Sequence, residues 1–226
     1  IQACLIFWAA IQIFPLYWLL TFSLKDNTEI FQGNMVGLPK VWRFENYTHA
    51  FMGGNVGRYL ANSIIVTAAT ILIVCIASLM ASYALIRMKW KLRKTFQLIF
   101  IMGITIPIHA ALLPVFIMMR QVHLINTYWC LIIPYSAFAV PMAIMISSGF
   151  ISSIPVELEE AACIDGCSIY KIFIQIILPL MKPSLATIAI FTFLQSWNEL
   201  MFAVVFISKP AYRTLTVGIQ SLVGQY

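Results

Sequence analysis

Residues 157–183 read ELEEAACIDGCSIYKIFIQIILPLMKP, the only sizeable polar and acidic island between two long apolar runs. Pro155 suits the first turn of a helix, where a missing N–H costs nothing. Glu157, Glu159 and Glu160 then fall in or near that turn, beside the positive end of the helix dipole. Ala161 and Ala162 prolong the helix with minimal side chains. Asp165-Gly166 ends it, because Gly accepts the left-handed cap conformation. Ser168 can cap a second short helix whose apolar body is Tyr170, Ile172, Phe173, Ile176 and Ile177. Pro179 and Pro183 close the unit. The expected product is two short helices joined by a tight turn, lying against the ends of a bundle built by the flanking apolar runs.

Those runs place the bundle in a membrane. The chain is 62% hydrophobic and 10% charged, with a mean hydropathy of +0.91, far outside the soluble range. Charge-poor runs cover 1–24, 59–86, 95–119, about 128–150, and 184–208 with an interruption at Glu199. Each reaches the roughly 20 residues that cross a hydrocarbon core about 30 Å thick. Their continuity argues for helices rather than barrel strands, since every backbone group must be satisfied inside the lipid. The expectation is one polytopic all-α domain over 1–226. Residue 1 already lies in an apolar run, without an initiator Met or a cleavage pattern, so no signal peptide is expected. A further helix is expected beyond Tyr226 in the intact protein.

Helix parity puts 87–94 and 151–183 on one side, and 25–58, 120–127 and 209–226 on the other. Lys and Arg split seven against seven, but the first side has the shorter loops and so the higher density. Arg87-Met88-Lys89-Trp90-Lys91-Leu92-Arg93-Lys94 alone carries five of the fourteen. The positive-inside rule makes that side cytoplasmic and the basic loop a membrane anchor, so the net charge of +6 does not point to nucleic acid. On the outside, Phe44 to Phe51 has the pattern of a short helix along the membrane surface.

The spacing inside the acidic island is E-A-A-x3-G-x9-I-x-L-P: Glu160, Ala161, Ala162, Asp165-Gly166, Ile176, Leu178 and Pro179. It resembles the EAA loop of membrane-spanning subunits of ATP-binding-cassette (ABC) importers. On physics alone a solvated helical loop with capping acids is an equal reading; the full spacing decides for the family. Leu38-Pro39, Phe44-Glu45-Asn46-Tyr47, Arg58 to Ser63, Ser153-Ile154-Pro155, Trp197-Asn198-Glu199 and Arg213 to Gly218 extend the resemblance to the carbohydrate, maltose-type branch, and to its second permease subunit. The resemblance implies a type I permease fold with five of six spans present. It implies a multi-pass subunit of a bacterial-type plasma membrane that catalyses nothing itself. It also implies a second permease, two ATPase subunits holding ATP and Mg, and an extracellular solute-binding protein. No cofactor is expected on this chain, which has no G-x4-G-K-[ST] phosphate loop. Carried over, Glu160, Ala161, Ala162 and Gly166 are coupling positions, with Glu160 meeting a basic side chain of the ATPase. The implied cargo is an oligosaccharide; a non-sugar solute is the alternative, and an ion-coupled carrier the more distant one.

Two further groups stand out. Trp197, Asn198 and Glu199 combine an aromatic face, an amide and the one carboxylate inside a span, which suits sugar hydroxyls on a pathway. A structural hydrogen bond to a neighbouring helix is the competing reading of Glu199. Gly218, Gln220, Gly224 and Gln225 give the outer stretch 209–226 the flexibility and polarity to meet a binding protein, against an ordinary connecting loop. Pro107, Pro114, Pro134 and Pro141 kink the third and fourth spans, through plain packing or along a pathway. The three His residues and five Cys residues form no ligand pattern, so no metal site is expected. A membrane enzyme would need a nucleophile with its base near the lipid boundary, and none is evident.

Overall fold

The computed structural model describes residues 2–31 and 33–223, and all regular structure among them is helical. They fall into two compact units, one up to Gly57 and one from Arg58. The first opens with α1 (Gln2–Ser23), which carries Pro15 inside it and exposes every described residue up to Leu20. An apolar helix with no buried face within its own unit fits a lipid-facing or partner-facing span. After it come α2 (Asn27–Phe31) and α3 (Glu45–Met52).

Between α1 and α3 a set of hydrogen bonds ties the described residues together. Lys25, only 2% exposed, donates from Nζ to the Asn34 carbonyl at 2.6 Å. Glu29 accepts from the Lys40 N–H at 2.9 Å and from the Asn34 amide. Asn46 Nδ2 donates to the carbonyls of Ser23 and Lys25, both at 3.0 Å. The Lys40 N–H holds the Glu29 carboxyl below the usual carboxylate range, against the opposing effect of burial, with help from Asn34 and the two lysines. Helix α3 buries none of its residues, as a surface helix should.

The second unit carries the bundle. Helix α4 (Val56–Ile86) is a single rod of 31 residues. Helices α5 (Arg93–Ile104) and α6 (Leu112–Gln121) correspond to the run expected as one kinked span. They meet at 94° across Pro107 and a 3₁₀ turn at Ile108–Ala111. Pro107 has no N–H to continue α5 and disfavours helical geometry in the residue before it, so the rod turns a corner there. Pro134 and Pro141 instead lie inside the unbroken α7 (Trp129–Ser153). Helix α7 packs against α5 and against α11 (Lys182–Asn198). A Cβ on Gly103 would sit 3.0 Å from the Pro141 ring, so glycine lets α5 approach α7 closely there. The last expected span breaks at Glu199 and resumes as the short α12 (Met201–Phe206), followed by α13 (Leu215–Val223). Helix α8 (Glu157–Ile164), α9 (Ile169–Ile172) and α10 (Leu178–Leu180) make up the loop between α7 and α11.

The contact faces of the bundle helices carry small polar side chains: Thr70, Ser78 and Ser82 on α4, Ser136 and Ser147 on α7, and Ser184, Thr192 and Ser196 on α11, all buried. Several satisfy themselves on their own helix; Thr70 donates to Val66 O at 2.8 Å, Ser147 to Ala143 O at 2.6 Å and Ser196 to Thr192 O at 2.8 Å. Small residues let membrane helices approach where burying apolar surface from lipid gains little. By length and composition α1, α4 and α7 can each cross a membrane, and two bent helix pairs raise the total among the described residues to five.

Candidate functional site: the loop at 157–183 and the cavity at Glu199

The loop forms the two helices its sequence implies. Pro155 lies just outside α8 rather than in its first turn. Its effect falls on Ile154, held extended with ψ 126°, which ends α7. Glu157, Glu159 and Glu160 occupy the first turn of α8. Gly166 adopts φ +77°, and two bonds close the helix: Cys167 N–H to Ala162 O at 2.9 Å and Gly166 N–H to Cys163 O at 3.0 Å. This is the Schellman arrangement, with buried Ala162 and half-buried Cys167 in one apolar cluster. Ser168 takes the N-cap position of α9, although its hydroxyl makes no capping bond. Residues Phe173–Ile177 then form a π-helical turn that ends just before Pro179, a residue with no N–H to give.

Burial divides the motif into two faces. Ala162 is buried, and Ile176 and Leu178 pack partly buried around Leu79, Tyr83, Ile151, Ile172, Ile177 and Met181. Glu160, Ala161, Asp165, Gly166 and Pro179 are exposed. A knob results, anchored by its apolar residues, with an acid, a small side chain and a tight turn facing outward.

A third set of residues, missed in the sequence, ties the knob down. Glu159 points inward, between Arg87 and Tyr83 at the end of α4. Arg87 Nε stands 2.6 Å from Glu159 Oε1, a close ion pair rather than an aligned hydrogen bond. The Tyr83 hydroxyl donates to Glu159 Oε2 at 2.9 Å. Arg87 also donates to the carbonyls of Ile151 and Ile154 at 3.0 and 2.5 Å. Tyr83 and Arg87 are four residues apart, hence on one helix face, and that spacing was the available signal.

At the other site, Glu199 interrupts the α11–α12 span. Its carboxylate accepts from the Phe202 N–H at 3.0 Å, the Ala203 N–H at 3.3 Å and the Tyr135 hydroxyl at 2.7 Å. It therefore serves the orphan amides that open α12. A cavity of about 630 Å³ adjoins it, with Thr70, His109, Tyr135, Gln195, Asn198 and Glu199 among its lining. Trp197 lies outside this lining and stacks on Phe193, centroids 5.2 Å apart. Of the expected trio, Asn198 and Glu199 come together and Trp197 does not join them.

The stretch from Ser208 to Gly218, expected on the outer side, is pinned to the bundle rather than loose. Asn126, in the left-handed region at φ +63°, accepts at Oδ1 from Ser208 N–H, Ser208 Oγ and Lys209 N–H at 2.7, 2.9 and 2.8 Å. Asn62 donates to the carbonyls of Ala211 and Arg213 at 2.9 and 2.8 Å and accepts from the Tyr128 hydroxyl. Gly218 is buried in α13, where a Cβ would run into the Tyr59 ring, whereas Gln220 is exposed. Gly224 and Gln225 lie outside the described residues.

This architecture has close counterparts. The chain is 36% identical over 217 residues to the diacetylchitobiose uptake system permease protein NgcG of Streptomyces coelicolor, covering 96% of this chain and 72% of that one. It is 34% identical over 218 residues to the melibiose/raffinose/stachyose import permease protein MelC of Bacillus subtilis, covering 96% and 78%. A solved bacterial ABC transporter involved in the import of the acidic polysaccharide alginate shares the fold, with a TM-score of 0.89, 23% identity, and coverage of 99% and 79%. Residues 73–225 match the family described as the inner membrane component of binding-protein-dependent transport systems. The chain belongs to that family: it is a multi-pass ABC permease subunit of the cell membrane, a transport component rather than an enzyme.

Proposed function

We propose that this subunit forms half of the pathway of an ATP-driven importer that carries an oligosaccharide inward by alternating access. The observation that carries the coupling half of this reading is the two-faced knob. Glu160, Ala161 and Gly166 are exposed on a short helix and its Schellman turn, while the opposite face is buried in the bundle. A rigid exposed helix end of this kind suits a cleft on an ATPase subunit, with Glu160 against a basic side chain there. ATP and Mg belong to that partner. Relatives named for diacetylchitobiose and for melibiose, raffinose and stachyose support the sugar half.

In this reading a second, similar permease completes the bundle, and a solute-binding protein approaches the outer side near Gln220. The cavity bordered by Asn198 and Glu199 lies on the solute path, with amide, carboxylate, phenol and imidazole groups offering hydrogen bonds to hydroxyls. Glu199 also holds α12 in place there. The test uses the complete complex in sealed vesicles. Glu160→Lys is expected to leave the helical content of the permease intact and to uncouple ATP hydrolysis from uptake. Normal ATP-driven uptake in that variant contradicts the docking assignment. Uptake that survives ATP depletion but collapses with the proton gradient contradicts ATP coupling altogether.

A further inference from the structure

The docking face of the knob explains how it meets a partner, not how its displacement reaches the pathway. The inner face supplies a route. At the end of α7 the Ile151 carbonyl takes only the Ile154 N–H, at 3.1 Å, and the Ile154 carbonyl lies just past the helix, so both keep acceptor capacity near the negative end of a helix dipole. Glu159 sits in the first turn of α8, at the positive end of the next dipole. Between them stands one side chain, Arg87, whose guanidinium donates to both carbonyls and pairs with the carboxylate. Tyr83, one turn earlier on α4, holds the other carboxylate oxygen, and its ring packs on Phe173 at 5.0 Å between centroids. The side chains of Arg87 and Glu159 are 14% and 11% exposed, so water competes weakly for these bonds.

We infer that Arg87, Glu159 and Tyr83 form a pin that makes α8 and the cytoplasmic ends of α4 and α7 move as one body, so that a displacement of the knob is delivered to the helices lining the cavity. The inference rests on the reading of 157–183 as the ATPase-docking loop. The same two helices supply Thr70, Tyr135, Phe138, Ala139 and Met142 to the cavity wall. Apolar packing alone leaves a short helix free to slide over its seat. A buried, directional set of bonds removes that freedom, because sliding strands a carboxylate and a guanidinium away from water. Arg suits the middle because two nitrogens share the work, Nη2 donating to both carbonyls while Nε faces the carboxylate, whereas a Lys ammonium would have to meet all three acceptors from one nitrogen. These three are positioning residues, since none faces the partner cleft or the solute.

The test compares spin-label distances across the pin in the complete transporter. Cys4 and Cys163, the exposed native thiols, are replaced by Ser. Labels are placed at Lys89, exposed just after α4, and at Glu157, exposed at the start of α8. The probe is saturating ATP with divalent ions chelated, so that nucleotide binds without being hydrolysed. In the native background the distance is expected to stay unchanged on adding ATP, because both labels ride on one body. In Glu159→Gln the pair is expected to separate and its distribution to broaden only when ATP is added; Arg87→Lys lies between the two. A Glu159→Gln distance that ignores ATP overturns the inference. Loosening that is the same with and without ATP also overturns it, since that marks a merely structural tie. If Glu159→Gln fails to assemble, Tyr83→Phe decides, with a smaller ATP-dependent separation expected and none contradicting. Retention of the ATPase subunits through purification reports separately on docking. Glu160→Lys that keeps them with full coupling removes the docking reading, whereas loss in Glu160→Lys beside a rigid Glu159→Gln removes only the pin.

Discussion

Replacing Glu199 with Ala separates a structural role from a solute-binding one. The carboxylate accepts three hydrogen bonds from Phe202 N–H, Ala203 N–H and Tyr135 Oη. Phe202 and Ala203 are fully buried, and Tyr135, 5% exposed, borders the cavity, so water from that side replaces only part of what the carboxylate gave. Losing a helix cap costs about 1 kcal/mol. Stranding a buried hydroxyl that had a charged partner adds about 2–3 kcal/mol. The total is about 3–4 kcal/mol, which for a chain of this size lowers the melting temperature by roughly 6–16 °C. Glu199→Gln keeps one acceptor oxygen and is expected to fall about midway. The assay is a thermal melt of the purified complex followed by light scattering, run beside uptake kinetics on the fraction still assembled. A lower melting temperature with unchanged kinetics per assembled complex is expected. A native melting temperature with lost uptake refutes the capping argument and makes Glu199 a solute contact.

Three further outcomes follow from the geometry. Gly218→Ala forces a methyl into the Tyr59 ring and is expected to destabilise the second unit by about 1–3 kcal/mol; pairing it with Tyr59→Ala should recover part of that loss in the same melt. Asn126→Ala removes the acceptor of three donors from Ser208 and Lys209 and puts Ala at φ +63°, so amide exchange over 207–213 should accelerate about tenfold, with no change at α8. Because the folded value of Glu29 lies below the ordinary carboxylate range, its contribution is present at neutral pH and is lost as pH falls below about 4. Protection of the Lys40 amide should fall over that acidic range and become independent of it in Glu29→Gln.

The sequence exposes what is local. Asp165-Gly166 announces its turn because few residues other than glycine accept φ +77°, and the acids of α8 announce a helix start. Apolar run length marks the spans for the same reason, since lipid leaves the backbone few alternatives. What depends on distant partners stays hidden. Glu157, Glu159 and Glu160 are equivalent as capping acids, and it is the distant Tyr83 and Arg87 that distinguish the one that turns inward. Arg87 looks like any cation of a cytoplasmic loop until the carbonyls of α7 arrive beside it. Asn62 stands inside an expected span and Asn126 in an expected loop, yet each fastens a segment more than 80 residues further on. Prolines are ambiguous for the same reason: Pro107 turns a span through a corner and Pro141 does not, although both are proline inside an apolar run.

The most direct measurement of the central claim is ATP hydrolysis by the complete complex in lipid, with its binding protein present, across a panel of mono-, oligo- and acidic saccharides. Strong stimulation by one class of oligosaccharide, abolished by Glu160→Lys, is the predicted result. Hydrolysis that responds to no saccharide, but rises with peptides or other solutes, contradicts the assignment of an oligosaccharide as cargo.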